Sequence, residues 1–235
     1  MSATRRILAQ LVIAAMLLAT LTVSAADYDF PGQKPDRRIL KTQEKVDALF
    51  ENGDYERALF IYRVELAPLG DKFAQYMIGF MYLSGRGLPV DVALSSAWYR
   101  LAAERGDRQF VGSRDDLWKL LNDEQRVQSD LAYVELRKTY SDAALVAEFV
   151  EQDLLMLSKR VDDSSVSSFQ ANTDYVSDRA RFERDEDLVK EIRDRMRFLT
   201  EFFQSGQAVG KSELTRFEQL EERASRLLDA YEDRN

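Results

Sequence analysis

The chain has 235 residues, of which 45% are hydrophobic and 31% are charged, and it contains neither Cys nor His. Such a chain cannot form a Ser-His-Asp triad, a Cys nucleophile, a zinc centre of the usual kind or an iron–sulfur cluster. These absences exclude most enzyme chemistries and leave those of carboxylates, Lys, Tyr and Ser, for which the sequence offers no clear arrangement. We expect a protein that is not an enzyme and that holds no cofactor and no metal ion. A net charge of −8 also argues against a nucleic-acid partner, because phosphates repel an acidic surface.

The amino-terminal residues have the layout of a secretory signal peptide. Arg5 and Arg6 precede a largely apolar stretch over residues 7–23, and small residues follow before the first acid. We expect cleavage after Ala25 or Ala26 and a periplasmic protein with a net charge of −10. Two alternatives remain open. First, an apolar stretch of this length just suffices for an uncleaved membrane anchor, which would be the only membrane attachment. Second, the paired Arg residues partly match a twin-arginine export signal.

The remainder of the chain is predicted to be helical. Residues 27–36 contain two Pro and one Gly and predict an extended leader. Apolar residues at helical spacing then predict one helix that starts at Arg37 and ends at Asn52-Gly53. A second helix is expected between Asp54 and Gly70.

The sequence repeats internally with a period of 36 to 37 residues. Tyr62-Arg63 recurs as Tyr99-Arg100, and Gly70-Asp71 recurs as Gly106-Asp107. Two helices in each period are typical of a helical solenoid. Over residues 72–107 the spacing is detailed enough to compare with known repeats, and it runs Ala74-x3-Ile78-Gly79-x2-Tyr82-x2-Gly85-Arg86-Gly87-Leu88-Pro89-x-Asp91-x6-Trp98-Tyr99-x2-Ala102-Ala103-x2-Gly106.

This spacing resembles the Sel-1-like repeat, a relative of the tetratricopeptide repeat. The resemblance implies an all-α fold, a short right-handed α-solenoid of antiparallel helix pairs, and a C-terminal helical hairpin is expected to follow it. Residues 37–71 are expected to form a divergent first repeat, within a repeat region of 37–107. The positions expected to maintain the repeat are Ala74, Gly79, Tyr82, Gly85, Gly87, Asp91, Trp98, Ala102, Ala103 and Gly106.

The sequence after the repeats predicts three further segments. Residues 108–160 are expected to be closing helices, started by capping boxes at Ser113/Asp116 and Asn122/Gln125. Residues 161–172 are rich in Ser and predict a linker. Apolar residues at helical spacing in 173–235 predict two helices in a hairpin.

The resemblance also implies a function in binding. The first helices of such repeats line a concave surface, where extended partners bind. We therefore expect a scaffold or adaptor for another envelope protein, with partner contacts at Gln43, Asp47, Gln75, Tyr76 and Phe80. Two alternatives are a structural protein that forms homo-oligomers through its C-terminal hairpin and an enzyme of cell-wall glycans that uses two carboxylates.

Overall fold

The computed structural model describes residues 30–32, 36–163, 175–204 and 210–233, and the side chains of 162–184 are not part of that description. All regular structure in these ranges is helical, and consecutive helices pack in pairs, which confirms the prediction of an all-α, solenoid-like fold. The predicted signal peptide, most of the leader, and residues 164–172 of the predicted linker lie outside the described residues. None of the described helices combines the length and apolar character needed to cross a bilayer.

The chain divides into two compact units, with a boundary between Arg137 and Lys138. Phe30 belongs to the first unit, whereas Pro31 and Gly32 belong to the second. Among the described residues, the helices that begin in this unit are α1 (Arg37–Glu51), α2 (Tyr55–Ile61), α3 (Lys72–Ser84), α4 (Val92–Ala102), α5 (Arg108–Leu120) and α6 (Asp123–Tyr140).

Helices α1 to α5 pack in the order in which they occur along the chain. α1 packs on α2, the extension of α2 on α3, α3 on α4, and α4 on α5. Contacts between sequence neighbours are the defining property of a solenoid. The predicted ends at Asn52 and Gly70 are both confirmed, and Gly70 takes the left-handed conformation that closes a helix.

Helix α2 does not end as a regular α-helix, and Pro68 provides the reason. Its ring nitrogen carries no hydrogen, so the carbonyl four residues earlier receives no helical hydrogen bond from it. The chain widens into a π-helical turn over Tyr62–Leu66, where the N–H of Ala67 donates to the carbonyl of Tyr62, and then tightens into a 3₁₀ turn over Ala67–Leu69.

Two predicted capping boxes had different outcomes. Asn122 and Gln125 exchange hydrogen bonds between side chain and backbone, at 2.9 and 3.0 Å, and start α6 as expected. The box at Ser113/Asp116 was wrong, because Ser113 lies inside α5. Asp107 starts that helix six residues earlier by accepting hydrogen bonds from the backbone N–H groups of the first turn.

The described part of the second unit contains three helices that begin in it, α7 (Asp142–Asp163), α8 (Tyr175–Gln204) and α9 (Lys211–Glu232). α7 packs against both α8 and α9, which also contact each other. The core that they enclose is apolar and includes Leu145, Val146, Phe149, Val150, Leu154, Leu157, Leu188, Val189, Ile192, Leu199, Phe217, Leu220 and Ala224. The sequence places α7 with the preceding closing helices, whereas in the structure it supplies one wall of this C-terminal core.

A buried ion pair interrupts that apolar core. Arg195 of α8 pairs with Asp153 of α7, and both side chains are almost fully buried. The guanidinium also lies 5.5 Å from the centre of the Phe149 ring, and its Nε donates to the carbonyl of Pro31 at 2.9 Å. Burial raises the pKa of Asp153, and the hydrogen bond from Arg195 opposes that rise.

Candidate functional site

Five of the ten repeat positions predicted from the sequence lie in the packed core of the first unit. They are Ala74, Gly79, Trp98, Ala102 and Ala103, and Tyr82 is half-buried. Asp91 starts α4 by accepting a hydrogen bond from the N–H of Leu94 at 2.8 Å. The glycines at 85, 87 and 106 have positive φ, as their places in tight turns require.

Gly87 also allows a close approach between two backbone segments. A Cβ at this position would lie 2.9 Å from the backbone carbon of Tyr55 in α2. The neighbouring Arg86 places its guanidinium within 5.1 to 5.3 Å of the ring centres of Phe50, Tyr55 and Phe80. This cation–π contact ties the loop to α1, α2 and α3.

Three of the five predicted partner contacts are wrong, because their side chains belong to the core. Gln75 is fully buried, and Tyr76 and Phe80 are each 2% exposed. The ring of Tyr76 is stacked on two other aromatic rings. Its centre lies 5.0 Å from the ring centre of Tyr99 and 5.1 Å from that of Phe110. The helix that was expected to line an open concave face is covered here, so these residues cannot contact a partner in the folded protein.

Gln43 and Asp47, the other two predicted contacts, lie on α1 in a polar network. Gln43 Nε2 donates to Asp71 Oδ2 at 2.9 Å, and the Tyr62 hydroxyl donates to Asp47 Oδ1 at 3.3 Å. Asp71 also starts α3 through the N–H of Ala74. Partial burial raises the pKa of Asp47, and the charges of nearby acids act in the same direction, while the Tyr62 hydrogen bond opposes them.

The most distinctive exposed feature of the first unit is a group of cations near the start of α1. Four exposed basic side chains lie in the first nine residues of this helix, and a shallow, open groove follows them together with Asp36 and Thr42. We call this group the α1 basic cluster, and it consists of Arg37, Arg38, Lys41 and Lys45. None of the partner contacts predicted from the sequence belongs to it, although the spacing of the four cations along one predicted helix is a signal that the sequence contains.

The position of the α1 basic cluster is electrostatically unfavourable. The N-terminus of a helix carries the positive end of its dipole, where acidic side chains stabilise and basic ones destabilise. The first turn of α1 contains no acid, and the two cations Arg37 and Arg38 occupy it. Asp36 satisfies the free N–H groups of Arg38 and Ile39, each at 2.8 Å, so the helix is capped in spite of these charges.

Within the described ranges, no group of three acidic side chains is arranged to hold a metal ion. Comparison with protein-family models, with curated proteins and with solved structures finds no match for this chain.

Proposed function

We propose that the protein is a non-enzymatic scaffold of the bacterial periplasm that binds an acidic segment of another envelope protein through the α1 basic cluster. The single observation that carries the proposal is the presence of exposed cations at the N-terminus of α1, where the helix dipole disfavours positive charge. Residues that violate a local stability rule without a structural gain are commonly found at functional sites. The resemblance to Sel-1-like repeats and the predicted signal peptide support binding and location, respectively.

The charge of the cluster determines the chemistry of its partner. The chain as a whole has a net charge of −8, so an acidic partner is repelled by most of the surface. A local set of cations then provides attraction at one place and in one orientation. Two Arg side chains add forked donors that suit carboxylates. The proposed partner is therefore a protein with a run of Asp or Glu, held beside α1.

The location of the cluster also preserves the helical repeat. All four side chains are exposed, while the buried Val46 anchors the opposite side of α1. Binding therefore requires no opening of the core. This arrangement replaces Gln75, Tyr76 and Phe80 as contacts and retains α1, the helix that carries Gln43 and Asp47, as the binding element.

The test is an affinity capture from envelope extract with three forms of the purified protein. The first is the wild type, and the second carries Arg37→Glu, Arg38→Glu and Lys41→Glu. The third is a matched control with the same change in net charge at three other exposed cations, Arg57→Glu, Lys119→Glu and Arg226→Glu, whose side chains are 70 to 71% exposed.

We expect the wild type and the control to retain an acidic protein that the α1 variant loses. Raising the salt should release that protein, because the screening length falls to about 10 Å at 0.1 M. Retention of the same proteins by all three forms would overturn the proposal. If the α1 variant instead loses only co-sedimentation with anionic lipid vesicles, the cluster binds a membrane surface and the protein-scaffold function is wrong.

A further inference from the structure

Helix α6 has one packed face and one exposed apolar face. On the packed face, the guanidinium of Arg100 lies 3.9 Å from the centre of the Tyr133 ring. The guanidinium of Arg126 lies 5.7 Å from the centre of the Trp118 ring. Ser129 on the same side is fully buried. On the other face Val127, Leu131 and Val134 are 56, 59 and 50% exposed.

These three residues form a continuous stripe, which we call the α6 stripe. Their spacing of four and three residues places them on one side of the helix. Single exposed apolar residues are ordinary, but a stripe of three on one helix face is typical of an interaction surface. Charges occur at both ends of the same helix, with an acidic excess at the start and a basic excess at the end. The start carries Asp123 and Glu124 followed by Arg126, and the end carries Glu135 followed by Arg137 and Lys138.

This order of charges is complementary to itself. If a second copy of α6 packs antiparallel with Val127 opposite Val134, the acidic first turn of each copy faces the basic end of the other. The dipoles of the two helices also oppose each other favourably in this arrangement. A parallel pairing would instead place like charges together at each end. The ends of α6 thus select one partner and one orientation.

We propose that the α6 stripe is the contact between two copies of this chain in a two-fold symmetric dimer. The inference goes beyond the proposed function, since it concerns another helix and another partner. A single helix stripe is smaller than the surface of about 800 Å² per partner that stable complexes bury. The expected dimer is therefore weak, with monomers predominating in dilute solution and dimers at high concentration.

The experiment measures molar mass by sedimentation equilibrium over two decades of micromolar concentration. Wild-type protein should shift from monomer towards dimer, and Leu131→Glu should remain monomeric at every concentration. The matched control is Leu214→Glu in α9, another exposed leucine, which should dimerise as the wild type does. Because Leu131 is exposed, circular dichroism and thermal unfolding of the variant should stay close to those of the wild type.

A charge swap tests the orientation. Lys138→Glu should weaken the dimer several-fold, and adding Glu124→Lys in the same chain should restore it. A wild type that stays monomeric at all concentrations, or a dimer that survives Leu131→Glu, overturns the proposal. Loss of the dimer in Leu214→Glu alone would assign the contact to the C-terminal hairpin instead.

Discussion

Gly79 of α3 and Tyr99 of α4 lie so close that a side chain on the glycine would collide with the tyrosine ring. A Cβ at position 79 would be 2.6 Å from Tyr99 Cδ1 and 3.2 Å from the carbonyl oxygen of Ser95. The ring cannot move away easily, because it is buried and stacked on Tyr76. The absence of a side chain at Gly79 is therefore a packing requirement.

We predict that Gly79→Ala destabilises the protein, with an overpacking cost of about 1–3 kcal/mol that exceeds the gain in helix propensity. The matched control is Gly112→Ala inside α5, where a Cβ meets nothing within 4 Å. That variant should be more stable than the wild type by about 0.5–1 kcal/mol. Urea unfolding of the three proteins measures both changes. Stabilisation by both substitutions would show that α3 and α4 have room to separate.

A second prediction concerns Asp47 and the pH dependence of stability. The pKa of Asp47 is raised in the folded protein, mainly by burial, so folding favours its protonated form. A raised pKa contributes stability below the ordinary pKa of Asp, about 3.9, and that contribution is lost as the pH rises through the folded value. Asp47→Asn should therefore be more stable than the wild type at pH 7, since Asn still accepts from Tyr62.

The measurement for Asp47 is thermal unfolding between pH 3 and pH 7, where the advantage of Asp47→Asn should shrink as the pH falls. Glu44→Gln removes an equal charge at another position on α1 and controls for net charge. An advantage that is independent of pH, or one that Glu44→Gln reproduces, would contradict the assignment of the effect to the burial of Asp47.

A third prediction concerns the buried pair in the second unit. Arg195→Met leaves the carboxylate of Asp153 buried without its cation, and loss of one partner of a buried pair typically costs about 3–5 kcal/mol. The double variant Arg195→Met, Asp153→Leu should recover much of this loss, because no buried charge remains. Urea unfolding at pH 7 compares the two, and an unchanged single variant would show that water reaches Asp153.

The same single variant should respond to pH. Arg195 lowers the pKa of Asp153 against the upward effects of burial and of Glu191, and the substitution removes that opposition. The protonated carboxyl is then favoured in the folded state, so the destabilisation caused by Arg195→Met should be smaller at pH 4 than at pH 7. The double variant has no carboxyl at this position and should not show that recovery.

Local signals in the sequence predicted helix ends well. Asn52 and Gly70 end helical segments where expected, because a left-handed glycine or a short polar residue acts on its own neighbours alone. Ser113 failed as a start signal because Asp107 had already capped the helix. A capping residue found by pattern is decisive only if no stronger one precedes it.

Surface exposure was harder to predict than helix position. The sequence places Tyr76 on the first helix of a repeat, and in an open solenoid that face is free. In this fold Phe110 of α5 stacks on Tyr76, a contact between residues 34 positions apart that no local pattern reveals. The α1 basic cluster was accessible to sequence reasoning in principle, because four cations within nine residues need only the helical period to be grouped.

The last prediction separates stability from binding at α1. Arg37→Glu together with Arg38→Glu removes two cations from the first turn and adds two acids, and each favourable interaction with the helix dipole contributes about 0.3–1 kcal/mol. We therefore expect this double variant to be more stable than the wild type at low salt, and we expect this advantage to shrink at high salt. Lys119→Glu, in the last turn of α5, makes the same chemical change at the opposite end of a dipole and should lower stability. If the double variant gains stability and also loses the acidic partner, the cations of α1 oppose folding and serve binding. If it loses stability, Arg37 and Arg38 hold α1 in place, and their position no longer argues for a binding surface.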